Sequence, residues 1–138
     1  MARDLYHALI RQALEADGWL ITHDPLTLKY GEQTNLYVDL GAETPLAAEK
    51  EGRKIAVEIK NFLSPSPISE MEKALGQFGF YRFLLTRQFP GRILYLALPE
   101  SRYDSLFDTA EGRDLASEFQ LRFILYDTET ERIVRWIE

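Results

Sequence analysis

The chain has 138 residues, enough for one domain with a real core and too few for two comfortable ones. Its formal net charge of −6 argues against a protein that coats nucleic acid non-specifically, though it leaves room for a nuclease with a local basic patch. No cysteine is present, which excludes disulfides and thiolate metal sites, and with no apolar span or signal peptide in the sequence the reading is a cytoplasmic protein.

Taken in order, Tyr6, Leu9, Ile10, Ala13 and Leu14 fall at helical spacing, and Gly18 stands where a C-cap is expected. His7, Arg11 and Glu15 share a polar stripe, read as a solvated face with an i,i+4 ion pair. Glu15 facing a catalytic centre is the functional alternative. Trp19 to Thr22 is a short extended run that ends at His23-Asp24-Pro25. Neither His7 nor His23 has a sequence neighbour that would give it a catalytic role, so both are read as structural. Thr27 to Tyr30 and Asn35 to Leu40 read as strands joined by residues 31–34.

The next stretch is the informative one. Lys54-Ile55-Ala56-Val57-Glu58-Ile59-Lys60 is an apolar strand interrupted by a carboxylate and an ammonium. Alternation puts Ala56, Glu58 and Lys60 on one face and Ile55, Val57 and Ile59 on the other. Buried charges of this kind are costly unless paired, solvated or bound to metal. A two-residue turn at Glu51-Gly52 predicts a hairpin with residues 45–50, in which Glu43 lies opposite Lys60 and shares the face of Glu58. If the chain stays extended through Gly41, Asp39 has the same parity. Glu49 is read as solvated.

Ser66-Pro67 resembles an N-cap followed by proline at the first helical position, opening a helix that runs to about Gln88. Ile68, Met71, Leu75 and Phe78 form its apolar stripe, and Gln77 and Tyr81 lie a turn apart on another. Ile93 to Leu98 reads as a central strand, so strand–helix–strand predicts a parallel crossover. One or two short helices fill residues 101–119 around Gly112, and strands at 121–126 and 132–137 close a single α/β domain over residues 1–138.

Carboxylates converging beside a lysine suit a divalent, oxygen-ligated cation such as Mg²⁺ or Mn²⁺, and phosphodiester hydrolysis is the reaction that most directly uses such a set. The plain alternative is an ion pair on the strand surface, which stabilises by about 0–1 kcal/mol and needs no function.

Glu58-Ile59-Lys60 resembles the (D/E)xK element of the PD-(D/E)xK nuclease superfamily, and Gln77-Phe78-Gly79-Phe80-Tyr81 is similar to the Q-x-x-x-Y pattern of its RecB-like branch. That resemblance implies a restriction-endonuclease-like core, a central mixed sheet flanked by helices. It also implies catalytic roles for Glu58, Lys60 and Gln77, and metal ligation by Glu58 with Asp39 or Glu43. The superfamily often carries its first acid as Pro-Asp, whereas Pro45 here precedes Leu46.

A closer resemblance spans nearly the whole chain. Residues 22–28, 37–43, 55–60 and 74–77, with Leu94 to Ala97 and the terminal Trp136-Ile137, are similar to XisH, the cyanobacterial fdxN element excision controlling factors. This resemblance implies a part in programmed DNA excision during heterocyst development, alongside a site-specific recombinase and the companion factor XisI. Two functions follow as expectations: a Mg²⁺- or Mn²⁺-dependent DNA nuclease, or a non-catalytic regulator that keeps the nuclease fold and binds XisI, DNA or both. The aromatic residues also leave apolar side chains for contact between copies of the chain.

Overall fold

A computed structural model describes residues 2–44 and 52–138. In chain order the elements are α1 (Ala2–Ala16), β1 (Leu20–His23), β2 (Leu26–Tyr30), β3 (Thr34–Val38), β4 (Leu40–Glu43), β5 (Lys54–Ile59), α2 (Pro67–Gln88), β6 (Arg92–Pro99), α3 (Glu100–Leu106), α4 (Ala110–Glu118), β7 (Phe123–Asp127) and β8 (Arg132–Ile137). Six strands form one mixed sheet in the order β1-β4-β5-β6-β7-β8, and β2 and β3 form a separate hairpin. The β1/β4, β4/β5 and β7/β8 pairs are antiparallel, while β5/β6 and β6/β7 are parallel.

Alternation along the strands sorts their side chains onto two faces. Ile55 and Val57 of β5, with Tyr95, Ala97, Ile124 and Tyr126, pack against Leu9, Ile10 and Leu14 of α1. Ala56, Leu94, Leu96, Phe123 and Leu125 pack on the other face against α2 and α3, and the β2–β3 hairpin closes that side with Leu26, Leu28 and Val38. The mixed sheet therefore lies between α1 and the other helices.

The second helix begins and faces inward for reasons visible in its residues. Ser66 is extended, and its hydroxyl accepts from the Ser69 amide, with Pro67 following at the first helical position. Such a cap stabilises a helix by about 1 kcal/mol. The buried stripe is Met71, Ala74, Phe78, Tyr81, Leu84 and Leu85, whereas Ile68 is exposed and Leu75 only half-buried. The stripe expected through Ile68 and Leu75 is thus rotated about the helix, because Ala74 and Tyr81 take the inward positions. The parallel β5/β6 pairing that α2 connects is as expected from the strand–helix–strand order.

Two expectations change. The run Asn35 to Leu40 is not one strand: it ends at Val38 in the hairpin and resumes at Leu40 in the main sheet, with Asp39 at the bend between them. The β4/β5 register also differs from the expected hairpin. Glu43 lies opposite Lys54, six positions from Lys60. Arg53 and Thr44 close the ladder, with the Thr44 amide donating to the Arg53 carbonyl (2.9 Å) and the Arg53 amide to the Thr44 hydroxyl (2.8 Å). The strand expected at residues 45–50 and Glu51 of the expected turn lie outside the described residues. Because six is even, the face of every residue in β4 and β5 is preserved while its partner changes.

Candidate carboxylate site at the end of strand β5

Continuing the observed register past Leu40↔Val57 sets Asp39 against Glu58. The two residues clasp each other through backbone and carboxylate. The Asp39 amide donates to Glu58 Oε1 (3.3 Å), and Asp39 Oδ2 accepts from the Ile59 amide (2.8 Å). Glu58 is 7% exposed and is the one charged residue buried as a whole, backbone and side chain together, among those described. Lys60 Nζ lies 3.6 Å from Glu58 Oε2, at the margin of an ion pair, and its own amide donates to Ala97 (2.9 Å).

The electrostatics follow from that burial. Loss of solvent raises the Glu58 carboxyl most, the Asp39 charge raises it further, and Lys60 pulls it down only in part, so it stands at about 8. Glu58 is therefore a carboxyl whose ionised form is held at a cost and which a nearby cation would favour. Two carboxylates from one joint are a donor set that Mg²⁺ uses with water or phosphate oxygens completing its shell. No group of three or more histidine, aspartate or glutamate side chains suited to a metal occurs among the described residues.

The other expected site residues divide. Glu43 lies four residues along the chain from Asp39, roughly 13 Å on an extended strand. There it pairs with Arg92, whose guanidinium lies 3.1 Å from Glu43 Oε1 and also donates to the carbonyls of Ile55 (2.8 Å) and Ala42 (3.2 Å). Glu43 is thus engaged at the opposite end of β4 from Asp39. Gln77 is half-buried on α2, and its Oε1 is buried with no hydrogen-bond partner among the described residues. The structure brings together Asp39, Glu58 and Lys60, and joins neither Glu43 nor Gln77 to them by a hydrogen bond.

A recess adjoins Asp39 on the α1 side, lined by Tyr6, His7, Asp39, Ile59 and Asn61. After Lys60 the chain turns sharply. Phe62 has φ 55°, in the left-handed region, and is 1% exposed against Phe107. A bulky residue there costs about 1–2 kcal/mol, which the burial of its ring offsets. Asn61 Oδ1 accepts from the Leu63 amide (3.1 Å) within this turn.

His7 has a partner that the sequence did not show. Its Nε2 donates to Asp24 Oδ1 (2.6 Å), and Arg11 donates to Asp24 Oδ2. The expected Arg11–Glu15 pair is also present at 3.7 Å, and Glu15 is exposed. The one signal for Asp24 was its place before Pro25, which marks a turn without saying what the side chain reaches.

The family model described as XisH protein matches residues 1–134. The crystal structure of an XisH family protein from Nostoc punctiforme is 44% identical, with 96% of this chain and 98% of that chain covered and a TM-score of 0.84. The crystal structure of an fdxN element excision controlling factor protein from Anabaena variabilis is 42% identical, with 98% and 99% covered and a TM-score of 0.85. No curated protein matches the chain.

Proposed function

We propose, for a chain that belongs to the XisH family, a role as an excision controlling factor that hydrolyses DNA phosphodiesters with a divalent cation. The observation that carries this reading is the Asp39–Glu58 pair, two carboxylates at one joint with Lys60 beside them. The order of the strands supports a PD-(D/E)xK frame: β1, β4 and β5 antiparallel, β6 parallel, with α1 before and α2 between the last two. The Anabaena relative's name supplies the link to excision of a DNA element.

Asp39 and Glu58 would hold Mg²⁺ or Mn²⁺, which supplies Lewis-acid polarisation of a phosphoryl oxygen and an acidified water. Asp39 is positioned for this by the Ile59 amide, which donates to its Oδ2. Glu58 is held in a setting where water is largely excluded, so a cation there meets little dielectric screening. Lys60, 23% exposed at its side chain, can leave Glu58 Oε2 and steady charge that develops on the phosphoryl oxygens. Gln77 has a buried carbonyl oxygen without a donor among the described residues, a feature expected of a residue that orders a ligand or water.

Cleavage of branched, nicked and linear DNA with Mg²⁺ or Mn²⁺ tests the reading. Glu58→Ala should abolish the products, and equal products from both proteins would refute it.

A second reading has its own support, in that only two carboxylates meet among the described residues and apolar side chains lie exposed. Leu63, Ile68 and Phe83 are each about half exposed or more, on and before α2. On this reading the chain regulates excision without cutting, and that surface meets the companion factor XisI or the recombinase. Binding of XisI by a protein with no metal-dependent cleavage would select it.

A further inference from the structure

We propose that His7 is a substrate-contacting residue, whose Nδ1 edge binds a phosphate oxygen of the phosphodiester at the Asp39 recess. This rests on the phosphodiesterase reading above and extends it to the α1 wall of the site. The ring has one nitrogen committed: Nε2 donates to Asp24 Oδ1 at 2.6 Å. Asp24 cannot turn away freely, because Arg11 holds its other oxygen. A carboxylate on one ring nitrogen fixes the ring's orientation and leaves the second nitrogen for a ligand. In the complex proposed, Nδ1 carries the hydrogen that the phosphate oxygen accepts.

The remaining lining of the recess suits the same ligand. Asn61 has its Oδ1 occupied by the Leu63 amide, so its side-chain N–H groups are the part still available. Tyr6 lines the recess as well. Tyr6, His7 and Asn61, three side chains able to donate, thus line a recess whose one carboxylate among the described residues is Asp39. A phosphodiester bridging a cation on Asp39 would turn its non-bridging oxygens toward such donors. His7 and Asp24 are each 28% exposed at the side chain, open enough to be reached and enclosed enough to be held.

The test uses the full chain, with the dinucleotide d(TpT) as the phosphodiester and Ca²⁺ as the cation. The His7 ring nitrogens are followed by ¹⁵N NMR, and Kd is measured by calorimetry. Titration should move the Nδ1 resonance, and His7→Ala should weaken d(TpT) binding about tenfold, the order of one charge-assisted hydrogen bond. Asp24→Asn should weaken it in the same direction with His7 still in place. An unmoved Nδ1 resonance, or wild-type Kd in His7→Ala, would overturn the inference. If His7 responds as expected and Mg²⁺ yields no cleavage, the phosphate contact stands and the nuclease reading alone fails. If Glu58→Ala abolishes cleavage while His7→Ala binds d(TpT) normally, the reverse holds.

Discussion

Replacing Glu58 by Gln should make the folded chain more stable at alkaline pH and leave it nearly unchanged near pH 5. The carboxyl stands at about 8 in the fold against an ordinary 4.5, chiefly through burial and then through the Asp39 charge. A carboxyl raised on folding binds its proton more tightly in the native state, so stability is fully present below about 4.5 and is lost as pH rises toward 8. At 1.36 kcal/mol per tenfold change, the displacement sets a ceiling of roughly 5 kcal/mol. Local relaxation and water entry bring the expected loss to about 2–3 kcal/mol. Gln keeps an oxygen that can accept from the Asp39 amide, as Glu58 Oε1 does, and gives up the ionised state. It also gives up the marginal Lys60 pair, which contributes about 1 kcal/mol at most. His23, lowered chiefly by burial and then by Arg92, changes stability with pH in the opposite sense and is common to both proteins. Urea unfolding of the two proteins at pH 5, 6.5 and 8 isolates the Glu58 contribution as the variant-minus-wild-type difference. A difference that is flat across that range would refute the reasoning.

Three further outcomes follow from the same geometry. Mn²⁺ at millimolar concentration should raise the unfolding free energy of the wild type at pH 8 and that of Asp39→Asn hardly at all, as read by urea midpoints, because a ligand that binds only the native state stabilises it. Glu43→Gln should leave any metal-dependent cleavage at the wild-type rate. It should also cost about 1 kcal/mol in urea unfolding, since Arg92 loses a charged partner that is itself one-third exposed and keeps the Ala42 and Ile55 carbonyls. Gly112→Ala should destabilise by about 2 kcal/mol or more in thermal unfolding, since a Cβ there would meet the Phe107 Cα at 2.6 Å and its carbonyl oxygen at 2.7 Å.

Much of this fold is legible in the chain because its signals are local. Ser66-Pro67 marks the start of α2, and the Lys54 to Lys60 run marks β5 with its charged residues on the proper face. The site is legible to the same extent: Glu58 and Lys60 are neighbours on one strand. Its second acid was not, because Asn35 to Leu40 alternates without a break and nothing in it announces that Asp39 turns from one sheet into another. Parity admitted both Asp39 and Glu43, and only the register of β4 on β5, set by the Thr44–Arg53 closure, separates them. The pairing of His7 with Asp24 was beyond sequence for a different reason. It joins a helix to a turn seventeen residues on, and no spacing rule connects them.

The central claim is that Asp39 and Glu58 together form a cation site, and a crystal soaked in Mn²⁺ at pH 8 tests it most directly. Anomalous density is expected at about 2.1 Å from a carboxylate oxygen of each residue, with Lys60 moved off Glu58. Density held by Glu43, or no density with Lys60 still on Glu58, would contradict it.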